Sequence, residues 1–264
     1  MFKKLRIAVL VFILFNVALS AWLAKARTTD WNEPLQVVLH ALNGDGSTVS
    51  QDYIDQLKGM DNEALEAHFA DIENFFMREA ERHGVALETP VDIVFGGQID
   101  ALPPPPPPQG SGLSIALWSL KLRYWAARNN DYPYLQDVQM YVQYFDPARS
   151  PALAHSLGLQ KGLIGVVNAF ASKTMKAQNH VIIAHELLHT VGASDKYDPT
   201  NNQPLYPSGY ADPEQQPRVP QRRAEIMAGR MATGEATFRE AHKFKEVVIG
   251  AETAREIRWT AAPD

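Results

Sequence analysis

Cysteine is absent from all 264 residues of the chain. No disulfide can therefore hold the fold, whose stability must come from a packed core, helped in some proteins by a bound metal ion. Any zinc site in this chain must be built from histidine and carboxylate side chains, because thiolate ligands are excluded.

An excess of basic residues is also missing. The chain has 25 Lys and Arg against 30 Asp and Glu, which gives a formal net charge of -5, and its isoelectric point is near 5.9. Proteins that bind nucleic acid usually carry a basic surface, so this balance of charge speaks against nucleic-acid binding. Internal repeats are absent too, and the length fits one substantial domain or two small ones.

Long apolar runs are absent except near the N-terminus, where only Asn16 and Ser20 interrupt the run over 7–23. Three basic residues among the first six precede this run, which is the arrangement of an export signal. We predict an uncleaved membrane anchor within 1–26, with the rest of the chain facing the periplasm or the exterior. The alternatives are a signal peptide cleaved near 24–26, which would make the protein secreted, and a buried core helix.

The remaining residues, 27–264, are predicted to form one α+β domain with a mixed sheet. Apolar runs and turn signals predict strands over 35–41, 91–95, 138–145 and 162–170. Helical periodicity predicts helices over 50–57, 62–83 and 114–128, a helix through 180–191, and a C-terminal helical part over 234–259. The aromatic and alternating character of 114–128 leaves a strand as an alternative there. The domain therefore opens as β-α-β.

An unbroken proline run extends from Pro103 to Pro108 and is followed by Gln-Gly-Ser-Gly. Consecutive prolines favour a stiff polyproline II segment, and the glycines that follow favour flexibility. The run predicts either a rim loop or spacer within the domain, over 103–112, or a ligand for a proline-recognising partner.

The strongest chemical signal is His-Glu-Leu-Leu-His at 185–189. On a helix, His185 and His189 project from one face and can bind a single metal ion, with Glu186 beside them as a possible general base. The flanking apolar residues supply a packing face, and Gly192 is suited to end the helix. The alternative is a buried amphipathic helix whose histidines bind nothing.

A catalytic zinc site needs a third protein ligand, and two carboxylates are candidates. A glycine at 192 can adopt a positive φ and turn the chain, so that Asp195 swings back toward the ion. Glu225, on a downstream segment, could complete the same site instead. Either carboxylate could also have a purely structural role.

The expected chemistry is peptide hydrolysis. Zinc lowers the pKa of a water that it binds, and Glu186 would accept the proton and pass it to the leaving amine. Tyr197, Tyr206 and Tyr210 follow the motif and could stabilise the oxyanion, or they could pack the loop. If 162–170 is an edge strand, it could pair with an extended peptide substrate.

Residues 185–195, H-E-L-L-H-T-V-G-A-S-D, resemble the extended zinc motif of metzincin-like metallopeptidases, in the variant with Asp where most have a third His. Residues 195–198 resemble the D-x-Y-D continuation of bacterial secreted metallopeptidases of the immune-inhibitor type. The resemblance covers about a quarter of the chain, 163–229. It implies a zincin-like catalytic domain, zinc as cofactor and Met227 in a Met-turn beneath the metal. Ligation by Glu225 would resemble the gluzincin arrangement instead.

The sequence thus predicts a zinc metalloendopeptidase that acts on peptide or protein substrates outside the cytoplasm. One alternative is a zinc-dependent amidase acting on cell-envelope polymer. Another is an anchored protein in which the motif binds metal for structure only. Glu186 speaks against the second alternative, because a structural zinc site needs no base and prefers four protein ligands.

Overall fold

The computed structural model describes Arg6 and residues 30–107, 111–160 and 162–261. The predicted anchor, 1–26, lies outside the described residues apart from Arg6. Within the part of the chain that is described, no helix combines the length and the apolar character needed to cross a bilayer.

A five-stranded mixed sheet forms the centre of the fold, as the sequence predicts. Its strands run in the order β2-β1-β3-β5-β4. The first four in that order are parallel, and β4 pairs antiparallel with β5. The strand bounds are β1 Leu35–Asn43, β2 Val91–Gln98, β3 Val138–Phe145, β4 Leu157–Leu159 and β5 Ile164–Phe170.

Helices connect and cover these strands. Their bounds are α1 Thr48–Lys58, α2 Asn62–Arg82, α3 Gly112–Asn129, α4 Lys176–Val191 and α5 Ala251–Glu256. The first two begin at N-caps of the preferred type, because the Ser47 side chain accepts from the amide of Ser50 and the Asp61 side chain from that of Ala64. The predicted β-α-β start is confirmed, and so is the helical interpretation of 114–128.

Alternating side chains divide the sheet into two packed faces. Leu39, Met140 and Val167 point into a large core shared with α1, α2 and α4, in which Phe69, Phe75 and Leu187 are buried. Leu42, Tyr141 and Val166 point to the opposite face, where Trp118, Leu122 and Ala126 of α3 cover them. The motif helix α4 and the helix α3 therefore lie on opposite faces of one sheet.

The prediction of an edge strand at 162–170 is wrong. β5 lies inside the sheet, because β3 pairs with one side of it and β4 folds back antiparallel over the other. All seven residues of β5 are buried. The edge strand next to the motif helix is instead the short β4.

The prediction of a helical C-terminal part over 234–259 is wrong for most of its length. The region forms a hairpin of β7 Arg230–Ala232 with β8 Phe238–Glu240 and a second small sheet of β6 Ala224–Glu225 with β9 Val247–Val248. 3₁₀ turns occupy Ile226–Ala228 and Phe244–Glu246. Helix is limited to α5, which follows Gly250. Strand pairing and the β-branched Val247 and Val248 outweigh helical periodicity here.

The proline run is described over 103–107, and Pro108 lies outside the described residues. Residues 103–107 form neither helix nor strand. The carbonyl of Pro104 accepts a 2.8 Å hydrogen bond from the indole of Trp118 in α3, so the run is attached to that helix. A proline-recognising partner stays a prediction.

Candidate metal centre

The motif helix α4 is attached to the sheet at the end of β5. The amide side chain of Asn179 accepts from Phe170 N at 3.0 Å and donates to Phe170 O at 2.9 Å, and both residues are buried. One residue later, His180 Nδ1 lies 2.6 Å from the carboxylate of Asp71 in α2. The first turns of α4 therefore hold a fixed position against both the sheet and α2.

The helix ends at Gly192, as the sequence predicts. Gly192 adopts a φ of 114°, and the amide of Ala193 bonds back to Leu188 O at 3.0 Å. This is the reversal that glycine permits at a helix C-terminus. It returns the chain toward the histidines, so that Asp195 lies beside them.

Three potential ligand atoms converge at this point. The Nε2 atoms of His185 and His189 are 3.1 Å apart. Asp195 Oδ1 lies 3.3 Å from the first and 3.2 Å from the second. Within the described residues, these three form the one group of histidine, aspartate or glutamate side chains that is compact enough to hold a metal ion.

Backbone carbonyls determine which nitrogen of each ring faces the centre. Nδ1 of His185 donates to Ile226 O at 2.9 Å, and Nδ1 of His189 donates to Ala193 O at 2.8 Å. Because each Nδ1 carries the proton, each neutral ring presents the lone pair of Nε2. The two Nε2 atoms and a carboxylate oxygen thus face one another, and the group is stable only with positive charge among them, carried by a proton on an imidazole or by a metal cation.

The pKa values of His185 and Asp195 also indicate that positive charge is favoured at this centre. Burial disfavours the charged form of His185, but the hydrogen bond to Asp195 and the charge of Glu186 outweigh it and raise the pKa of His185 to about 9. Burial also acts to raise the pKa of Asp195, yet the hydrogen bonds to His185 and His189 hold it well below its usual range.

Glu186 is buried next to the three atoms, with only 5% of its surface exposed. Its Oε2 atom has no hydrogen-bond partner among the described residues. Burial raises the pKa of Glu186, and the nearby His185 and His189 oppose the rise. A buried carboxylate oxygen without a partner is costly, which marks this atom as free to accept a proton from a bound molecule.

All four side chains, His185, Glu186, His189 and Asp195, line an open cleft of about 700 Å³. The segment 151–157, which leads into β4, forms one wall. Residues 228–230 and 240–242 line the cleft on the side of the β7–β8 hairpin. The potential metal site is therefore accessible to a molecule larger than water.

No protein-family model matches the chain. The curated proteins contain no significant match either. The function of this site must therefore be argued from its own geometry.

Glu225, the alternative third ligand, lies outside the group formed by His185, His189 and Asp195. Its side chain is fully buried, and both of its oxygens are used. Oε1 accepts from Thr253 Oγ1 at 2.7 Å and from Gly250 N at 3.1 Å, and Oε2 accepts from Ala228 N at 3.1 Å. Glu225 thus joins the 3₁₀ turn to the start of α5, and burial raises its pKa.

Met227 and the three tyrosines of the predicted site, Tyr197, Tyr206 and Tyr210, differ in burial and in whether they line the cleft. Met227 is fully buried in the 3₁₀ turn that also presents the Ile226 carbonyl to His185. Among the described residues that line the cleft, Tyr197 is the one phenol of the three; burial raises the pKa of its hydroxyl, and the charge of the nearby Asp195 adds to the rise. Tyr206 is exposed and packs edge-on against Tyr210.

Sequence reasoning missed the residues that fix Asp195. Glu256 of α5 accepts from the hydroxyl of Ser194 at 2.6 Å and from its amide at 2.9 Å. The buried Lys196 donates to the same carboxylate at 2.7 Å. The two neighbours of Asp195 are therefore held by a residue about sixty positions away, and no local motif signals that contact.

If a metal ion binds at this centre, a Glu256→Gln substitution should lower its affinity by roughly 10–100-fold, the usual effect of removing a group that orients a ligand. The variant would leave Lys196 without its charged partner and loosen the turn that carries Asp195. Titration against a chromophoric chelator measures the change. Glu252→Gln is the matched control, because Glu252 approaches Lys196 only to 4.0 Å and its side chain is 42% exposed; equal losses in both variants would contradict this role for Glu256.

Gly158 in β4 is the point of closest approach between the edge strand and the motif helix. A β-carbon there would collide with the carbonyl oxygen of Glu186 and the β-carbon of His189. Glycine at this position therefore lets β4 pack directly onto the helical turn that carries both residues.

We expect a Gly158→Ala variant to lose about 1–3 kcal/mol of the free energy of unfolding, the usual cost of overpacking. The clash is with backbone, which cannot move aside as a flexible side chain can. Urea denaturation gives the measurement. Gly112→Ala is the control, since a β-carbon there meets open space; a Gly158→Ala variant as stable as this control would show that β4 can shift freely.

Proposed function

We propose that the protein is a zinc-dependent metallopeptidase that hydrolyses peptide bonds. The observation that carries this proposal is the pairing of two features in one cleft. The Nε2 atoms of two histidines and a carboxylate oxygen converge as a group that needs positive charge among its members, and the unpartnered carboxylate oxygen of Glu186 lies alongside.

The spacing of the three atoms supports zinc as the cation. Ligands of a tetrahedral zinc ion, at about 2.0–2.1 Å from the metal, lie roughly 3.3 Å from one another. The three separations here are 3.1, 3.2 and 3.3 Å. Three protein ligands from histidine and carboxylate, facing an open cleft, match the catalytic rather than the structural class of zinc site. His185, His189 and Asp195 are therefore the proposed ligands.

Zinc at this position would supply Lewis-acid polarisation of the scissile carbonyl and would favour ionisation of water. The residues of the chain supply the proton transfers. Glu186, whose pKa is raised by burial, accepts a proton from the attacking water and delivers it to the leaving amine. Tyr197, which lines the cleft near Asp195, would donate a hydrogen bond to the developing oxyanion.

A peptide substrate suits the shape of this cleft. β4 is an edge strand that contacts the motif helix directly, and an edge strand can hold an extended peptide by main-chain hydrogen bonds. A zincin-like fold, export from the cytoplasm and anchoring through 1–26 remain part of the proposal and rest on the sequence.

Zinc content and substrate class test the proposal together. Purified protein should contain about one zinc ion per chain by elemental analysis, as one group of three ligand atoms requires, and should cleave members of a peptide library. Chelation should stop cleavage and added zinc should restore it. A parallel assay with cell-envelope polymer distinguishes the peptidase from the amidase alternative. Release of fragments from the polymer with no cleavage of peptides would overturn the peptidase assignment.

A further inference from the structure

An apolar stripe is exposed on α3, the helix on the opposite face of the sheet from the metal centre. Its members are Leu113, Leu117, Leu120 and Tyr124, which are 71%, 52%, 59% and 67% exposed. At 3.6 residues per turn, their spacing of four, three and four places them within about 60° of one another. We call this surface the α3 stripe.

The other side of α3 is apolar as well, because Trp118, Leu122 and Ala126 are buried against the sheet. A helix at the surface of a water-soluble domain normally presents a polar face to solvent. On α3 the middle of the solvent-facing side is apolar instead, and this marks the α3 stripe as a surface for a partner other than water.

The charged residues of α3 itself are all positive, and the exposed Asp131 follows in the loop after it. Gly112–Asn129 contains Lys121, Arg123 and Arg128 but no Asp or Glu, although the whole chain carries a net charge of -5. Lys121 and Arg128 are exposed and lie along one flank of the stripe, about 60–80° from Leu113 around the helix. Apolar side chains flanked by long cationic ones are typical of helices that lie in the interface of an anionic membrane.

Two further apolar side chains are exposed in the loop after α3. Tyr134 and Leu135 are both 71% exposed. Two residues further on, Asp137 N donates to Gln36 O at 2.8 Å, and its carboxylate accepts from Gln36 N at 3.0 Å. The exposed loop therefore lies beside the start of β1, ten residues after the predicted anchor of 1–26 ends.

We propose that the α3 stripe, with Tyr134 and Leu135, lies in the interfacial layer of an anionic phospholipid bilayer. Leucines and tyrosines enter the boundary between headgroups and acyl chains, and Lys121 and Arg128 meet lipid phosphates. A second copy of the chain fits less well: protein interfaces use about 20–30 residues a side, and two such cationic stripes repel each other. The surface acts independently of the metal centre.

The absence of cysteine allows a direct test in the full chain. A Leu117→Cys variant carries a single environment-sensitive fluorophore and is reconstituted into vesicles of phosphatidylcholine with phosphatidylglycerol, with and without a nitroxide-bearing lipid. We expect blue-shifted emission and strong quenching by the nitroxide. Met77→Cys is the matched control, since Met77 is an exposed apolar residue on α2, across the sheet; its label should be neither shifted nor quenched.

Neutralising the two exposed cationic side chains tests whether the stripe binds anionic lipid. Adding Lys121→Gln and Arg128→Gln to the labelled variant should reduce quenching to the level seen in vesicles of phosphatidylcholine alone. Equal quenching in both kinds of vesicle would overturn the assignment to anionic lipid. A label that is shifted but not quenched would also overturn the proposal. If that emission shift increased with the number of protein molecules per vesicle, a second copy of the chain would cover the stripe. If the shift did not change, another part of the same chain would cover it.

Discussion

A Glu186→Gln variant should bind zinc as the parent does and lose peptide hydrolysis by a factor on the order of 10²–10⁴, the usual contribution of a general acid–base group. Glutamine keeps the size of the side chain but cannot accept and deliver the proton. Because Glu186 Oε2 has no partner among the described residues, the substitution breaks no hydrogen bond that the fold requires. The loss should fall on kcat.

Two measurements make this result interpretable. Zinc content and thermal stability of the variant should equal those of the parent, which separates a missing base from a damaged site. Glu88→Gln, at an exposed position away from the cleft, should leave kcat unchanged. Cleavage of the peptide library by Glu186→Gln at the parental rate would show that Glu186 is not the base and would leave the peptidase proposal without its central residue.

Removal of Asp195 should have the largest effect on metal binding. In an Asp195→Ala variant, two neutral imidazoles remain without the carboxylate that lies 3.2–3.3 Å from both. Zinc affinity should fall by more than the roughly 10–100-fold that changes outside the ligand set produce. Competition with a chelator of known affinity measures the fall, and the variant should remain folded because Asp195 lies on a partly exposed turn.

Glu225→Gln provides the opposing variant. Glutamine keeps one acceptor oxygen but replaces the other with an amide, so the hydrogen bonds from Ala228, Gly250 and Thr253 cannot all persist. The expected cost is about 1–3 kcal/mol of the free energy of unfolding, with zinc affinity close to that of the parent. The reverse pattern, stable folding with lost zinc after Glu225→Gln and retained zinc after Asp195→Ala, would make Glu225 the third ligand.

The sequence predicted the parts of the fold that form long periodic segments. The strands at 35–41 and 138–145 and the helix at 62–83 are close to β1, β3 and α2 because each carries enough apolar residues to define its own buried face. The C-terminal region was misread because its elements are only two to six residues long. Such short pieces are determined by their pairing partners, which local periodicity does not reveal.

The candidate site divides in the same way. The spacing of His185, Glu186 and His189 follows from helical geometry, and the reversal at Gly192 follows from glycine's access to positive φ. The carbonyls of Ile226 and Ala193 select the ring tautomers. Every residue has a backbone carbonyl, so the sequence does not indicate which ones bond to the histidines. The hydrogen bonds that Gly250 and Thr253 donate to Glu225, which favour Asp195 as the proposed third ligand, likewise come from residues distant from Glu225 in sequence.

The Asn179 side chain has a consequence for the whole centre. Its amide group bonds to both the N–H and the carbonyl of Phe170. A peptide unit in a neighbouring strand would make the same pair of bonds, so the side chain of Asn179 extends the hydrogen bonding of the sheet to the helix. From that fixed point, His185 is about 9 Å and His189 about 15 Å further along the axis, at 1.5 Å per residue. Because the helix is attached to the sheet at Asn179, the number of residues from Asn179 determines how far each imidazole lies from the end of β5.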